Sequence, residues 1–170
     1  LAIADYTEMI QKSPTSPKVY GDRATVYKQQ KQYDLAIADY NKTLSLEPQD
    51  SFTYQNLASL YIKMGKIDLA KETYNRSILA NPDSANVYVN RAYFYKEQKQ
   101  FDLAISDYLK ALELDSTKPE RYRSLAQFYA DQGNNSLALA TYNEAITKFP
   151  QSEASYKQRG DFYRKNKQYD

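Results

Sequence analysis

Two side-chain types in this chain recur regularly enough to do chemistry: tyrosine and arginine. The 170 residues include 18 tyrosines, many beside lysines, and aromatic faces interleaved with cations can stack nucleic-acid bases. The spacing argues for packing instead. Fifteen of the 18 fall in three columns with a period of 34 residues: Tyr6, Tyr40, Tyr74, Tyr108, Tyr142; Tyr20, Tyr54, Tyr88, Tyr122, Tyr156; and Tyr27, Tyr61, Tyr95, Tyr129, Tyr163. Tyr33 and Tyr169 share a turn column with Ile67 and Phe101, which leaves Tyr93 alone. The arginines are more informative. Arg23, Arg91 and Arg159 alternate with Leu57 and Leu125; sixteen residues after Arg23 and Arg91 stand Asp39 and Asp107, and sixteen after the leucines stand Thr73 and Thr141. An antiparallel hairpin brings such positions together, so a structural ion pair is expected to alternate with an apolar–polar pair, because a buried guanidinium needs a partner. The functional alternative is an arginine that reaches a ligand phosphate or carboxylate.

Other chemistry is excluded by composition. The chain has no histidine and no cysteine, so it can form no disulfide, thiolate nucleophile, Cys/His zinc site, HExxH helix or Ser-His-Asp triad. Four glycines, at 21, 65, 133 and 160, are too scattered for a phosphate-binding loop. The acids lie mostly at caps, turns and helix surfaces, with no converging carboxylate pair for acid–base work. No catalytic residue, metal site or cofactor is expected. A net charge of +2 argues against a nucleic-acid or polybasic membrane partner. No apolar run reaches the roughly 20 residues that cross a bilayer, and no leader-like segment opens the chain. The first residue is leucine, so a piece of a longer protein is expected; of the possible compartments the cytoplasm is the expected one.

The elements that position these columns follow from the repeat. LAIADY at 1–6 and 35–40, LAKETY at 69–74, LAISDY at 103–108 and LALATY at 137–142 recur every 34 residues without insertion. Small residues (Ala24, Ala58, Ala92, Ala126, Gly160, and Ala2, Ala36, Ala70, Ala104, Ala138) lie three, four or seven positions from the tyrosines, which is one face of a helix. Each unit thus predicts two helices, spanning 19–30 (helix A) and 35–46 (helix B) in the first complete unit. Asp34, Asp68, Asp102 and Ser136 are expected to cap helix B, and Pro17 and Pro119 to open helix A. Prolines 14, 48, 82 and 150 close the units.

This pattern resembles the tetratricopeptide repeat, most clearly at Tyr54, Leu57, Ala58, Tyr61, Gly65, Ala70, Tyr74 and Pro82. Tyrosine stands where the family has its first tryptophan and its phenylalanine, and alanine mostly replaces its glycine. The resemblance implies an all-α, right-handed superhelical solenoid of antiparallel helix pairs. The chain divides as a helix-B half-repeat (1–16), full repeats (17–50, 51–84, 85–118, 119–152) and a helix-A half-repeat (153–170).

The resemblance also implies a concave groove, lined by the exposed stripe of helix A, that binds a peptide or a partner's segment. Removing the scaffold columns leaves Phe52, Gln55, Ser59, Ile62 and Lys63 in one repeat, Asn86, Val89 and Tyr93 in the next, and Arg123 and Gln127 in the third. Asn56 and Asn90 occupy the column where many family members use asparagine to hold a ligand backbone. The Lys, Asn, Asn, Lys, Arg clamp of members that grip chaperone C-terminal acidic tails is absent from every frame, so such tails are not the expected partner. The expected function is a non-catalytic protein-interaction scaffold. Its rivals are a structural or self-assembly module without a groove ligand and an RNA-binding helical repeat. A head-to-tail association is also expected: Tyr156, Gly160 and Tyr163 would be open where a helix B belongs, and Ala2, Tyr6 and Met9 where a helix A belongs, with Asp5 supplying the acid that Arg159 lacks.

Overall fold

The computed structural model describes residues 1–167 and is built, among these, of ten helices and no strand. The KQYD turn at 167–170, with Tyr169, lies outside the described residues except for Lys167. The chain divides into two compact units, Leu1–Pro82 and Asp83–Asp170. The first holds α1 (Ala2–Lys12), α2 (Pro17–Gln29), α3 (Tyr33–Leu46), α4 (Ser51–Lys63) and α5 (Ile67–Ala80). The second holds α6 (Ala85–Glu97), α7 (Phe101–Leu114), α8 (Pro119–Asp131), α9 (Asn135–Lys148) and α10 (Glu153–Lys165). Three-residue turns join α2 to α3, α4 to α5, α6 to α7 and α8 to α9, so each pair is an antiparallel hairpin.

The alanine columns are the hairpin seams. Ala24 with Ala36, Ala58 with Ala70, Ala92 with Ala104 and Ala126 with Ala138 are each 0% exposed, and so small a side chain lets two backbones approach closely. Tyrosines fill the space around the seams. In the first unit Tyr40 and Tyr54 pack with Leu44, Leu57 and Leu60, flanked by Tyr27 and Tyr61. In the second, Tyr142 and Phe162 pack on Ala126 and Ala138, flanked by Tyr129 and Tyr163. Phe94, Phe128 and Phe162 are all buried, as is Leu60 in their column.

Pro17 and Pro119 do open α2 and α8, but the expected helix-B caps are corrected. Helix B starts earlier, at Tyr33, Ile67, Phe101 and Asn135, so Asp34, Asp68, Asp102 and Ser136 lie inside the first turn. There the carboxylates oppose the positive end of the helix dipole without capping it. Asn134 is the cap of α9 and accepts from the Leu137 N–H at 3.2 Å. Asp50 caps α4, accepting from the N–H groups of Phe52 (3.0 Å) and Thr53 (3.2 Å).

The turn that closes helix A carries a left-handed residue in every repeat. Gly65 and Gly133 have φ +73°, while Lys31, Lys99 and Lys167 hold the same column at φ 61°, 57° and 55°. The arginine repeats thus carry a strained lysine where the leucine repeats carry glycine.

Candidate functional site

The arginine column is structural. In the first unit, Arg23 Nε donates to Asp39 Oδ2 at 2.7 Å and Nη2 to Oδ1 at 2.8 Å. Its third nitrogen, Nη1, donates to Thr7 Oγ1 at 3.0 Å. In the second unit Arg91 grips Asp107 by the same fork, both bonds 2.8 Å. The hydrogen bonds to the acids raise both guanidinium pKa values, against an opposing desolvation. In the leucine repeats the threonines turn back to their own helices: Thr73 donates to the Leu69 carbonyl and Thr141 to the Leu137 carbonyl.

The open concavities lie beside the helix-A stripe. In the first unit, α2, α3 and α4 enclose a cavity of about 410 Å³. Its floor is the buried Tyr40, whose hydroxyl lies 3.3 Å from Thr25 Oγ1. Gly21 keeps it open: other repeats carry Gln55, Val89, Arg123 or Lys157 in that column. A Cβ at Gly21 would meet Thr43 Oγ1 at 3.6 Å, an ordinary contact, so packing does not demand glycine there. Phe52, 69% exposed, forms the rim. Asn56 accepts from Lys28 Nζ at 3.0 Å and donates to the Phe52 carbonyl at 3.2 Å. Asp22, Glu47 and Asp50 against Lys18 make the lining net acidic.

In the second unit the corresponding place between α6 and α8 carries a tyrosine ring over its floor. Tyr93 holds the column of Thr25, and its ring stands edge-on to Tyr108 at 5.7 Å while its hydroxyl lies 3.2 Å from Ser124 Oγ. The Tyr108 hydroxyl is therefore buried with no hydrogen-bond partner among the described residues, where Tyr40 has Thr25. Burial, above all, pushes the Tyr108 phenol well above its ordinary pKa. Asn86 accepts from Arg121 Nη2 at 2.7 Å, and Val89 and Asn90 are half-buried.

One repeat further, α8, α9 and α10 enclose a second cavity of about 430 Å³, floored by Tyr142 and Phe162. Arg123, Arg164 and Lys165 against Asp161 give this lining a net positive charge. Arg164 is partly neutralised by Asp161 at 3.0 Å, whereas Arg123 meets no carboxylate among the described residues. Gln127 is held by Asp131, which also takes Lys96 Nζ at 2.6 Å. Burial works to raise the Asp131 pKa, but the bonds from Lys96 and Gln127 hold it below the usual value.

Of the residues expected to line a groove, the structure gathers Phe52 and Asn56 around the acidic pocket and Arg123 and Gln127 around the basic one. Gln55, Ser59, Ile62 and Lys63 are exposed on α4; Lys63 Nζ sits 5.6 Å from the Tyr33 ring centre. Pocket residues outside the expected set include Asp22, Glu47, Asp50 and Gln158. Asp22 and Gln158 share the column of Asn56, a signal readable from the repeat alone. Of the residues expected to self-associate, Met9 is 48% and Tyr156 46% exposed, Ala2 and Gly160 are exposed, and Tyr6 and Tyr163 are half-buried. Arg159 is not without a partner in its own chain: Nη1 donates to Asn143 Oδ1 at 2.7 Å.

Antiparallel helix hairpins with alanine seams and pockets beside successive A helices define a helical-repeat protein. Family models of the tetratricopeptide repeat match residues 27–89, 85–118 and 124–152, and the chain belongs to the tetratricopeptide-repeat family, an all-α solenoid fold generally used as a non-catalytic interaction scaffold. Comparison with curated proteins gives no match. Among solved structures the chain is similar to MamA from Desulfovibrio magneticus (16% identity, TM-score 0.67, covering 89% of this chain and 85% of that one). It is similar also to YrrB, described as a tetratricopeptide-repeat protein with an unusual peptide-binding site (18%, TM-score 0.60, 97% and 85%). A thermophilic tetratricopeptide-repeat protein of Thermus thermophilus aligns at 20% identity and TM-score 0.65 over 94% of this chain and 86% of that one. No helix among the described residues is long and apolar enough to cross a membrane.

Proposed function

We propose that the chain is a non-catalytic scaffold that holds extended peptide segments of protein partners along the stripe of its A helices. The observation that carries this reading is the pair of open pockets at equivalent places in two repeats, both floored by the same tyrosine column. Each has an apolar floor and a few polar groups at the rim, the usual composition of a small recognition site. Their chemistry differs. The pocket of the first unit, with Phe52 above three acids and one lysine, suits a basic or apolar side chain through its aromatic rim and negative lining. The pocket of the second unit suits a carboxylate-bearing side chain, which Arg123 can take as a fork.

A peptide array probed with the purified chain tests this. Gly21→Arg, which fills the first pocket, and Phe52→Ala should each remove binding of basic–aromatic peptides. Arg123→Glu should remove binding of acidic peptides and leave the first class intact. Unchanged peptide selection in all three variants would refute the reading and favour a structural module without a groove ligand. An RNA affinity that falls steeply with added salt would favour the RNA alternative instead, since phosphate contacts to Arg123 and Arg164 release counterions.

A further inference from the structure

We propose that the place between α6 and α8 is a third recognition site of the A-helix stripe, which opens when Tyr93 swings aside and takes a carboxamide side chain, glutamine or asparagine, of a bound peptide. The proposal rests on the scaffold reading above and adds to it a site and the class of side chain that fills it.

A stranded hydroxyl carries the inference. Tyr108 is 2% exposed, and its Oη has no hydrogen-bond partner among the described residues. Its column floors both open pockets: Tyr40 lines the first, with its hydroxyl 3.3 Å from Thr25 Oγ1, and Tyr142 lines the second. A buried phenol with nothing to bond lowers stability where phenylalanine would not. Packing therefore gives no reason for an oxygen at Tyr108, whereas a ligand that reaches it does.

Tyr93 stands over this floor, and its hold is light. It is 46% exposed, its ring meets Tyr108 edge-on at 5.7 Å, and its hydroxyl lies 3.2 Å from Ser124 Oγ. Ser124 uses its own proton on the Glu120 carbonyl at 3.0 Å, so Tyr93 is the donor of that bond and Ser124 Oγ the acceptor. Rotation of Tyr93 toward solvent breaks one hydrogen bond and one ring contact. It uncovers a donor, the Tyr108 hydroxyl, on a floor formed with the Phe128 ring at 5.6 Å, and it frees an acceptor, Ser124 Oγ.

A carboxamide complements both, with an oxygen for Tyr108 and an N–H for Ser124. Charged side chains fit worse. Burial first, then Tyr93, Asp131 and Glu97, keep the proton on Tyr108; a carboxylate entering beside those two acids is repelled. An ammonium has no oxygen for the phenol. Lys96 is already engaged, bonding Asp131 at 2.6 Å. The three places along the stripe thus select differently: acidic beside Phe52, neutral beneath Tyr93 and basic around Arg123.

The test uses peptides of one backbone sequence carrying each residue type at the central position, titrated by fluorescence polarisation against wild type, Tyr93→Ala and Tyr93→Ala/Tyr108→Phe. Glutamine- and asparagine-centred peptides should bind wild type and tighten about ten-fold on Tyr93→Ala, because no binding free energy then goes into opening the site. The double variant should lose about five-fold of that gain, with leucine-, glutamate- and lysine-centred peptides unmoved by the added Tyr108→Phe. Circular dichroism melting confirms that both variants fold. Carboxamide peptides that gain nothing from Tyr93→Ala, or that keep their affinity without the Tyr108 hydroxyl, overturn this site. The scaffold reading survives that result if Gly21→Arg and Arg123→Glu still change the selection of charged peptides. Absence of peptide binding by every form overturns both.

Discussion

Replacing Arg23 by leucine copies what Leu57 and Leu125 do in the neighbouring repeats, and it isolates the energetic role of the ion pair. Arg23 and Asp39 side chains are only 16% and 9% exposed, and two bonds of 2.7 and 2.8 Å join them. Arg23→Leu strands a nearly buried carboxylate and also removes the bond to Thr7. Breaking a fully buried pair costs about 3–5 kcal/mol; with the guanidinium edge partly solvated, about 2–4 kcal/mol is expected. Asp39→Thr alone leaves the guanidinium without its acid but nearer to water, for about 1–3 kcal/mol. The double variant should recover most of both losses. Its threonine can donate to the carbonyl four residues back, as Thr73 and Thr141 do, and its leucine can pack as Leu57 does, 0% exposed. A residual loss of about 1 kcal/mol then implies a coupling of about 2–6 kcal/mol. Urea unfolding of the four proteins, followed by far-ultraviolet circular dichroism, measures the cycle. Additive losses in the double variant would refute the idea that the two columns act as one alternating unit.

Tyr108→Phe removes a buried hydroxyl without a partner and should stabilise by about 1 kcal/mol, whereas Tyr40→Phe, which loses its contact with Thr25, should not; chemical denaturation compares them. Lys31→Gly relieves a left-handed residue and should add about 0.5–1 kcal/mol, while Gly65→Ala should cost about 1 kcal/mol in the same assay. The depressed Asp131 carboxyl contributes stability that is present above the ordinary carboxyl pKa of 3.8 and is lost as pH falls through the lower folded value. Asp131→Asn should therefore cost about 0.5–1 kcal/mol at neutral pH, after discounting for its exposure, and progressively less as the carboxyl protonates in acid. Phe52→Ala should leave the unfolding midpoint within about 0.5 kcal/mol of wild type, because its ring is mostly in water.

The seams and the tyrosine packing were legible in the sequence because a fixed period of 34 puts each column on one helix face, and a side chain fully inside has few permitted sizes. The alternation of Arg23–Asp39 with Leu57–Thr73 was legible for the same reason, since charge and shape at two positions must agree. Helix-B starts were not. An aspartate such as Asp34 is favourable both as a cap and inside the first turn, and the sequence cannot separate two roles that reward the same residue. The pockets were half legible. Phe52, Asn56, Arg123 and Gln127 emerge once the scaffold columns are removed, but Glu47 and Asp50 lie outside the helix-A stripe, at the end of α3 and the start of α4. Tyr93 reads as a groove residue by the same subtraction; that its ring is long enough to reach back over Tyr108 is not readable from its column.

This division between seam and stripe explains how one hairpin geometry carries unlike concavities. Adding volume at a seam such as Ala126–Ala138, both 0% exposed, forces the helices apart and costs about 1–3 kcal/mol. A change in an exposed column shifts stability by about 0.5 kcal/mol or less. The columns of Gly21 and Thr25, half-buried to exposed, differ in every repeat: Gly21 with Thr25 leaves a pocket open, Val89 with Tyr93 puts a ring over its floor, and Arg123 with Gln127 adds a cation. The hairpin beneath is the same in all three, so the lining of each concavity is set by side chains outside the seams.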